Sequence, residues 1–185
     1  MGKRSGVLRF AVGFAALAVA GCMGPGFGSG AMRGGPPPGL EPARPRYVNP
    51  GTMAALEGFT HAVRVGNTIY VSGEVALDST GRLVGPGDLR VQARQAFANL
   101  AFVLRSAGAT PADVAKLTIY VVNYSPADFQ IIREAGAEFF PQRNPPAGIV
   151  LGVQSLPREG LLIAIDATAV VRGLFPERPH EVAGP

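Results

Sequence analysis

The sequence predicts an α+β domain in which two helices cover one face of a single mixed β-sheet. Three observations carry this. The apolar period switches between two and 3.6 in the order β-β-α-β-α-β-β. The patterned region, residues 47–173, has room for one core. Two windows within it combine an apolar stripe at helical spacing with start and stop signals.

The first two strands are His61–Val65 and Thr68–Ser72, two β-rich runs flanking a Gly66-Asn67 turn. A long helix follows at Leu89–Ala107, with Asp88 as N-cap and Gly108 just past its end. Leu89, Ala93, Ala96, Phe97, Leu100, Val103, Leu104 and Ala107 form its stripe. Thr110 to Asp113 reads as a capped single turn and Lys116–Val122 as a strand. Ser125-Pro126-Ala127-Asp128 opens the second helix, with Ser as cap, Pro in the first turn and the acid at N3. Phe129, Ile132, Ala135 and Phe139 are expected to face inward, and Pro141 to stop the helix. Gly148–Leu156 and Leu161–Val171 are the closing strands, joined through Pro157 to Gly160.

Outside this region the composition changes. Lys3, Arg4 and Arg9 precede an eleven-residue apolar stretch, Phe10–Ala20. A bilayer-spanning helix needs about 20 apolar residues, whereas a stretch of this length fits a signal peptide. Val19-Ala20-Gly21-Cys22 resembles a bacterial lipobox, so residues 1–21 are expected to be removed and Cys22 to be lipidated. The expected location is the periplasmic side of a bacterial membrane, with Met23 after the cysteine favouring the outer one. Residues 22–46 read as a tether, because Met23 to Arg46 holds seven Gly and six Pro and has no apolar period. Residues 174–185 read as a frayed tail.

Charge argues against a nucleic-acid partner. The chain carries +4 overall, but from Tyr47 to Gly173 ten Lys and Arg balance ten Asp and Glu. Nucleic-acid binders need a basic stripe to neutralise phosphates. A single cysteine excludes a disulfide framework, and no metal-ligand cluster or cofactor motif occurs.

Several motifs resemble the RidA/YjgF family, also known as L-PSP endoribonucleases, over Phe59 to Val171. They are His61-Ala-Val, Ile69-Tyr-Val-Ser-Gly-Glu74, Gly81-Arg-Leu-Val, Gln92-Ala-Arg-Gln-Ala-Phe-Ala-Asn-Leu100, Val103-Leu-Arg-Ser-Ala-Gly108 and Asp113-Val-Ala-Lys-Leu-Thr-Ile-Tyr-Val121. The resemblance implies a chorismate-mutase-like fold, a homotrimer with clefts between subunits, and hydrolysis of enamines and imines to 2-keto acids and ammonia. It implies no cofactor.

A 2-imino acid carries a carboxylate, so its site needs a fixed cation, ideally a bidentate arginine. Water attack also needs a group to hold or relay a proton. The resemblance places that arginine after Pro-Ala, where this chain reads Pro146-Ala147-Gly148. It places a pocket glutamate at Ala164, in Ile163-Ala164-Ile165-Asp166, and an aromatic hydroxyl at Phe59. The candidate cleft is therefore Phe59, Ser72, Gly73, Glu74, Gly148, Ala164 and Asp166. Arg143 is a candidate substitute clamp, with a solvated loop arginine as the preferred alternative. Asp166 is either a general acid or base or, by preference, an acceptor of hydrogen bonds from a neighbouring chain or loop; Glu74 either orients a ligand or water or, by preference, faces solvent at a strand edge.

The remaining polar residues read as structural. His61 is expected to be a satisfied structural histidine and His180 inert. Gln95 and Asn99, one helical turn apart, are expected to be structural or interfacial. Ser72 and Ser155 lack patterned His and Asp partners, so nucleophilic catalysis is unsupported. The expected function is an exported, lipid-anchored, trimeric relative of the deaminases whose deaminase activity is altered or lost. It binds or hydrolyses a small ligand without the amino-acid carboxylate. The alternative is a non-catalytic, membrane-tethered binding or assembly module, and a ribonuclease is disfavoured by the neutral charge.

Overall fold

The computed structural model describes residues 44–172, so Cys22, most of the tether, the C-terminal tail and His180 lie outside the described residues. Six strands form one sheet: β1 (Arg46–Val48), β2 (Ala62–Val65), β3 (Thr68–Val75), β4 (Val114–Val122), β5 (Ala147–Val153) and β6 (Ile163–Val170). Their spatial order is β1-β2-β3-β6-β4-β5. The sheet is mixed, since β5 runs parallel to β4 and every other neighbouring pair is antiparallel. Helices α1 (Leu89–Ala107) and α2 (Asp128–Ala135) complete the fold. α1 packs on β3, β6 and β2, and α2 lies against α1.

The long helix is set by its ends and its stripe. The Asp88 carboxylate accepts the Val91 N–H at 3.0 Å, and Gly108 leaves the last turn at φ 89°, a left-handed geometry that glycine adopts at least cost. The buried stripe includes Ala93, Ala96, Phe97, Leu100, Val103, Leu104 and Ala107. It meets Ile69, Val71, Ile163, Ile165 and Ala167 of the sheet in one core. The hairpin closes through Gly66 at φ 58° with Val65 opposite Thr68, as the two-residue turn requires.

Several sequence expectations need correction. Arg46, assigned to the tether, is the first residue of β1, and its guanidinium joins that of Arg64 in donating to the Ala107 carbonyl. Three residues without alternation carry no sequence signal; β1 exists because β2 offers it an edge. The second helix ends at Ala135, well short of Pro141. A 3₁₀ turn at Ala137–Phe139 follows, placing Phe139 5.2 Å from the ring of Phe97. A Cβ on Gly136 would overlap the Phe97 ring, so this position takes only glycine in the present packing. Phe129 is exposed rather than inward, because so short a helix has one buried row, centred on Ile132. Ser125 is not the helix cap, since α2 begins at Asp128 with Ala127 at its N-cap; Asp128 instead accepts from the Ser125 hydroxyl and amide, at 2.9 and 2.7 Å, closing the turn before the helix.

The face opposite the helices is only partly covered. A second apolar cluster, with Val75, Leu77, Leu161 and Ala164 at its centre, fills one end of it. Elsewhere Tyr47, Tyr70, Val170, Ile149 and Leu151 stand exposed.

Candidate functional site

A cavity of about 380 Å³ opens at the covered end of this face. Its floor comes from β3, β6 and β4, and its walls from the segments around Leu56 and Leu156. β3 supplies its part through an irregularity. Val71 pairs with Ala167 but Glu74 with Ile165, so three steps along β3 match two along β6. A bulge of this kind re-aims the side chains beside it, and here it lies at Ser72-Gly73.

A hydrogen-bonded frame fixes the approach to the bulge. The Asn49 amide oxygen accepts the His61 N–H at 3.0 Å, and its amide nitrogen donates to the Thr60 hydroxyl at 3.2 Å. The Ser72 hydroxyl donates to the Thr60 carbonyl at 2.6 Å, and the Ser72 N–H donates to the His61 carbonyl at 2.9 Å. From α1, Asn99 donates to the carbonyls of Val75 and Leu77, at 2.8 and 3.0 Å, and is itself held by Gln95 at 2.9 Å. The end of β3, which has no β2 partner there, is thus pinned by a helix side chain.

Two polar pairs result. His61 Nδ1 lies 3.0 Å and 3.2 Å from the two carboxylate oxygens of Glu74, with His61 6% and Glu74 4% exposed. The Tyr120 hydroxyl donates to Asp166 Oδ2 at 3.1 Å. Burial pushes the Tyr120 phenol above its ordinary value, and the hydrogen bond and charge of Asp166 push it further. Tyr120 is therefore a protonated donor at neutral pH. All four residues line the cavity, and among the described residues no Lys or Arg does. The cavity offers carboxylates, an imidazole and a phenol against apolar walls, and no fixed cation for an anion.

The structure gathers Phe59, Ser72, Gly73, Glu74, Ala164 and Asp166 around this one cavity. Gly148 is not among them. It lies on β5 opposite Leu117 and borders a separate groove with Tyr124, Phe129 and Phe140. Arg143 is exposed in the segment before β5 and does not line the cavity either. Glu74 is buried rather than solvent-facing, because the bulge turns it toward His61. His61 is not satisfied, since its Nε2 is buried without a hydrogen-bond partner. Asp166 accepts a hydrogen bond, from a side chain of its own chain.

Sequence reasoning missed Tyr120 and the His61–Glu74 pairing. A signal existed for the first: Tyr120 alternates with the buried Ile119 and Val121 and so must stand on the opposite face. For the pairing, the hairpin register puts His61 opposite Ser72 but stops short of Glu74, whose direction is set by the slip against β6. Among the described residues no group of three or more His, Cys, Asp or Glu is placed to hold a metal. No helix among them is long and apolar enough to cross a membrane.

Known proteins share this architecture. A family model described as Endoribonuclease L-PSP matches residues 51–171. The chain is 39% identical over 118 residues to the 2-iminobutanoate/2-iminopropanoate deaminase of Rattus norvegicus, an overlap of 63% of this chain and 82% of that relative. A Yersinia pestis protein of the conserved Rid family, YyfB, is 46% identical with a TM-score of 0.54, covering 69% of this chain and 98% of its own. The yjgF gene product of E. coli is 30% identical with a TM-score of 0.59, covering 69% and 99%. The family model spans β2 to β6, both helices and every residue of the cavity, and on that ground the chain belongs to the Endoribonuclease L-PSP family, the RidA/YjgF family of the motif resemblance.

Proposed function

We propose that this chain hydrolyses a small imine or enamine that lacks the 2-carboxylate of amino-acid-derived imines. The observation that carries the reading is the lining of the cavity: Glu74, Asp166, His61 and Tyr120 against apolar walls, with no Lys or Arg among the described residues. Relatives at 34–39% identity are named 2-iminobutanoate/2-iminopropanoate deaminases, which supports chemistry at a C=N bond. A carboxylate-bearing substrate would meet two acids and no cation. An iminium carbon with an apolar body would find charge complementarity and a dry wall. RNA is a poor fit to a domain with equal numbers of acids and bases.

The assembly is part of the proposal. Tyr47, Tyr70, Ile149, Leu151 and Val170 form an apolar surface that a second copy would bury, since monomers seldom leave so many large apolar groups on one face. In a homotrimer the groove at Gly148 would belong to the neighbouring copy's cleft. Cys22 would hold the assembly at the membrane through its acyl chains, with residues 23–45 as a tether spanning roughly 26 Å. Mass spectrometry of the mature protein is expected to find an acylated Cys22 at the N-terminus, and an unmodified, uncleaved Cys22 would remove the anchor from the proposal.

The test of the reaction uses N-benzylidenemethylamine, an imine with an apolar body and no carboxylate, followed through the absorbance of benzaldehyde. The full chain is expected to accelerate hydrolysis severalfold or more over the protein-free rate, and to scatter light as three chains per particle. Identical rates with and without protein, together with saturable benzylamine binding, would favour the non-catalytic tethered module. A monomer at micromolar concentration would sink the trimer.

A further inference from the structure

Asp166 and Tyr120 meet across two neighbouring strands of the cavity floor. In the register of β4 and β6, Tyr120 stands opposite Ala164 and Asp166 opposite Thr118, so the phenol reaches the carboxylate along the diagonal. Tyr120 packs against the apolar cluster to which the short Ala164 belongs. A phenol has one proton to give, and this one goes to Asp166 Oδ2 at 3.1 Å. Oδ1 of Asp166 has no hydrogen-bond partner among the described residues. It is not a buried atom either, since the one buried side-chain polar atom left unpaired there belongs to His61. Asp166 is half-buried and lines the cavity. One carboxylate oxygen is thus held by the protein and the other is open to solvent.

The second carboxylate of the cavity is placed differently. Glu74 is 4% exposed, and both of its oxygens lie within 3.2 Å of His61 Nδ1. It is committed to the protein, whereas Asp166 keeps an oxygen free. None of the ion pairs among the described residues includes Asp166. A carboxylate only accepts, and it binds a charged donor about twice as strongly as a neutral one.

We infer that Asp166 is the recognition group for a cationic N–H head in this cavity, accepting it on Oδ1, with Tyr120 as the positioning residue that holds Oδ2. The choice of a nitrogen cation rests on the imine-hydrolase reading, in which the head is the protonated imine nitrogen and the amine product keeps the same charge. Leu56, Val75 and Leu156 supply the apolar surface for the body. The contact sorts ligands by charge and donor together. An ammonium has both, a quaternary ammonium has the charge without the donor, and an alcohol has the donor without the charge.

Calorimetric titration of the full chain at neutral pH with benzylamine, benzyltrimethylammonium and benzyl alcohol tests this. Benzylamine, protonated at that pH, is expected to bind tightest. Asp166→Asn should weaken it about tenfold or more and leave benzyl alcohol nearly unchanged. Tyr120→Phe keeps the ring and removes the proton, so it should weaken benzylamine severalfold and again spare the alcohol. A merely structural role for Tyr120 would weaken both probes alike. The inference is overturned by wild type that does not bind benzylamine saturably or binds the three probes equally. A folded Asp166→Asn variant with wild-type affinity for benzylamine overturns it too, as does a loss confined to Glu74→Gln. Hydrolysis of N-benzylidenemethylamine keeps the two readings apart. Asp166-dependent binding without hydrolysis removes the hydrolase and leaves the contact. Hydrolysis with an unchanged KM in Asp166→Asn keeps the hydrolase and removes the contact.

Discussion

Ammonia release from 2-iminobutanoate by this protein is expected to run about 30- to 700-fold slower than that of a deaminase relative assayed beside it. The reason is the missing cation. A charge-assisted contact to a carboxylate contributes about 2–4 kcal/mol, and each 1.4 kcal/mol is a factor of about ten. Here the substrate carboxylate would face Glu74 and Asp166 instead. Because Gly148 borders a separate groove within one chain, Gly148→Arg is expected to recover affinity only where the proposed homotrimer brings it to a neighbouring copy's cavity, and then more than turnover, since an arginine clamps a carboxylate but moves no proton. The backbone limits even that gain. A Cβ at Gly148 would sit 3.0 Å from the Leu117 carbonyl, so β5 must yield by a few tenths of an ångström. As an edge strand paired only to β4, it has room to do so. Ala164→Glu alone should add nothing, because it puts a third acid beside Glu74 and Asp166 in a buried position. Rapid wild-type turnover of 2-iminobutanoate, measured as ammonia at saturating substrate, would sink this account.

Gln92→Leu is expected to cost about 2–5 kcal/mol of folding stability, a large share of the roughly 5–15 kcal/mol that holds a domain together. Gln92 is 0% exposed on α1, within the apolar stripe. Its amide nitrogen donates to the carbonyls of Gly85 and Gly160, at 3.1 and 2.8 Å, and its oxygen accepts the Leu162 N–H at 2.8 Å. One side chain therefore ties two loops and the start of β6 to the helix. Leucine has similar volume and restores none of the three bonds, and each orphaned group costs on the order of 1–3 kcal/mol, less where water reaches it. The effect should extend to the site, since Leu156 and Pro157 of the same loop wall the cavity. Chemical denaturation reads the change as a lower midpoint with an unchanged slope. A loss below about 1 kcal/mol would show that the loops hold themselves.

Most of the elements were legible because their signals are local. Asp88 and Gly108 bound a stripe of the right period, and Gly66-Asn67 sits between two β-rich runs. Other features have no local signal. β1 is three residues long and forms because β2 presents an edge. α2 ends early because Phe139 packs on Phe97, and a helix continued to Pro141 would carry it elsewhere. Gln92 reads as a polar interruption of an apolar stripe until its three partners, from residues far apart in sequence, converge on it.

The site divides the same way. Residue types alone determined that positions 148 and 164 carry no charged or hydroxyl-bearing side chain, and that the domain carries no net charge. Those are facts of chemistry at a position and need no coordinates. Tertiary structure alone decided that Gly148 borders a different groove from Ala164, because β6 inserts between β3 and β4 and leaves β5 at the far edge. It also decided that Glu74 turns inward. One residue of slippage at Ser72-Gly73 changes which way a strand side chain points, and period-two patterning cannot register a slip that only the neighbouring strand defines. That slip places a carboxylate against His61 and leaves the imidazole with one nitrogen unpartnered.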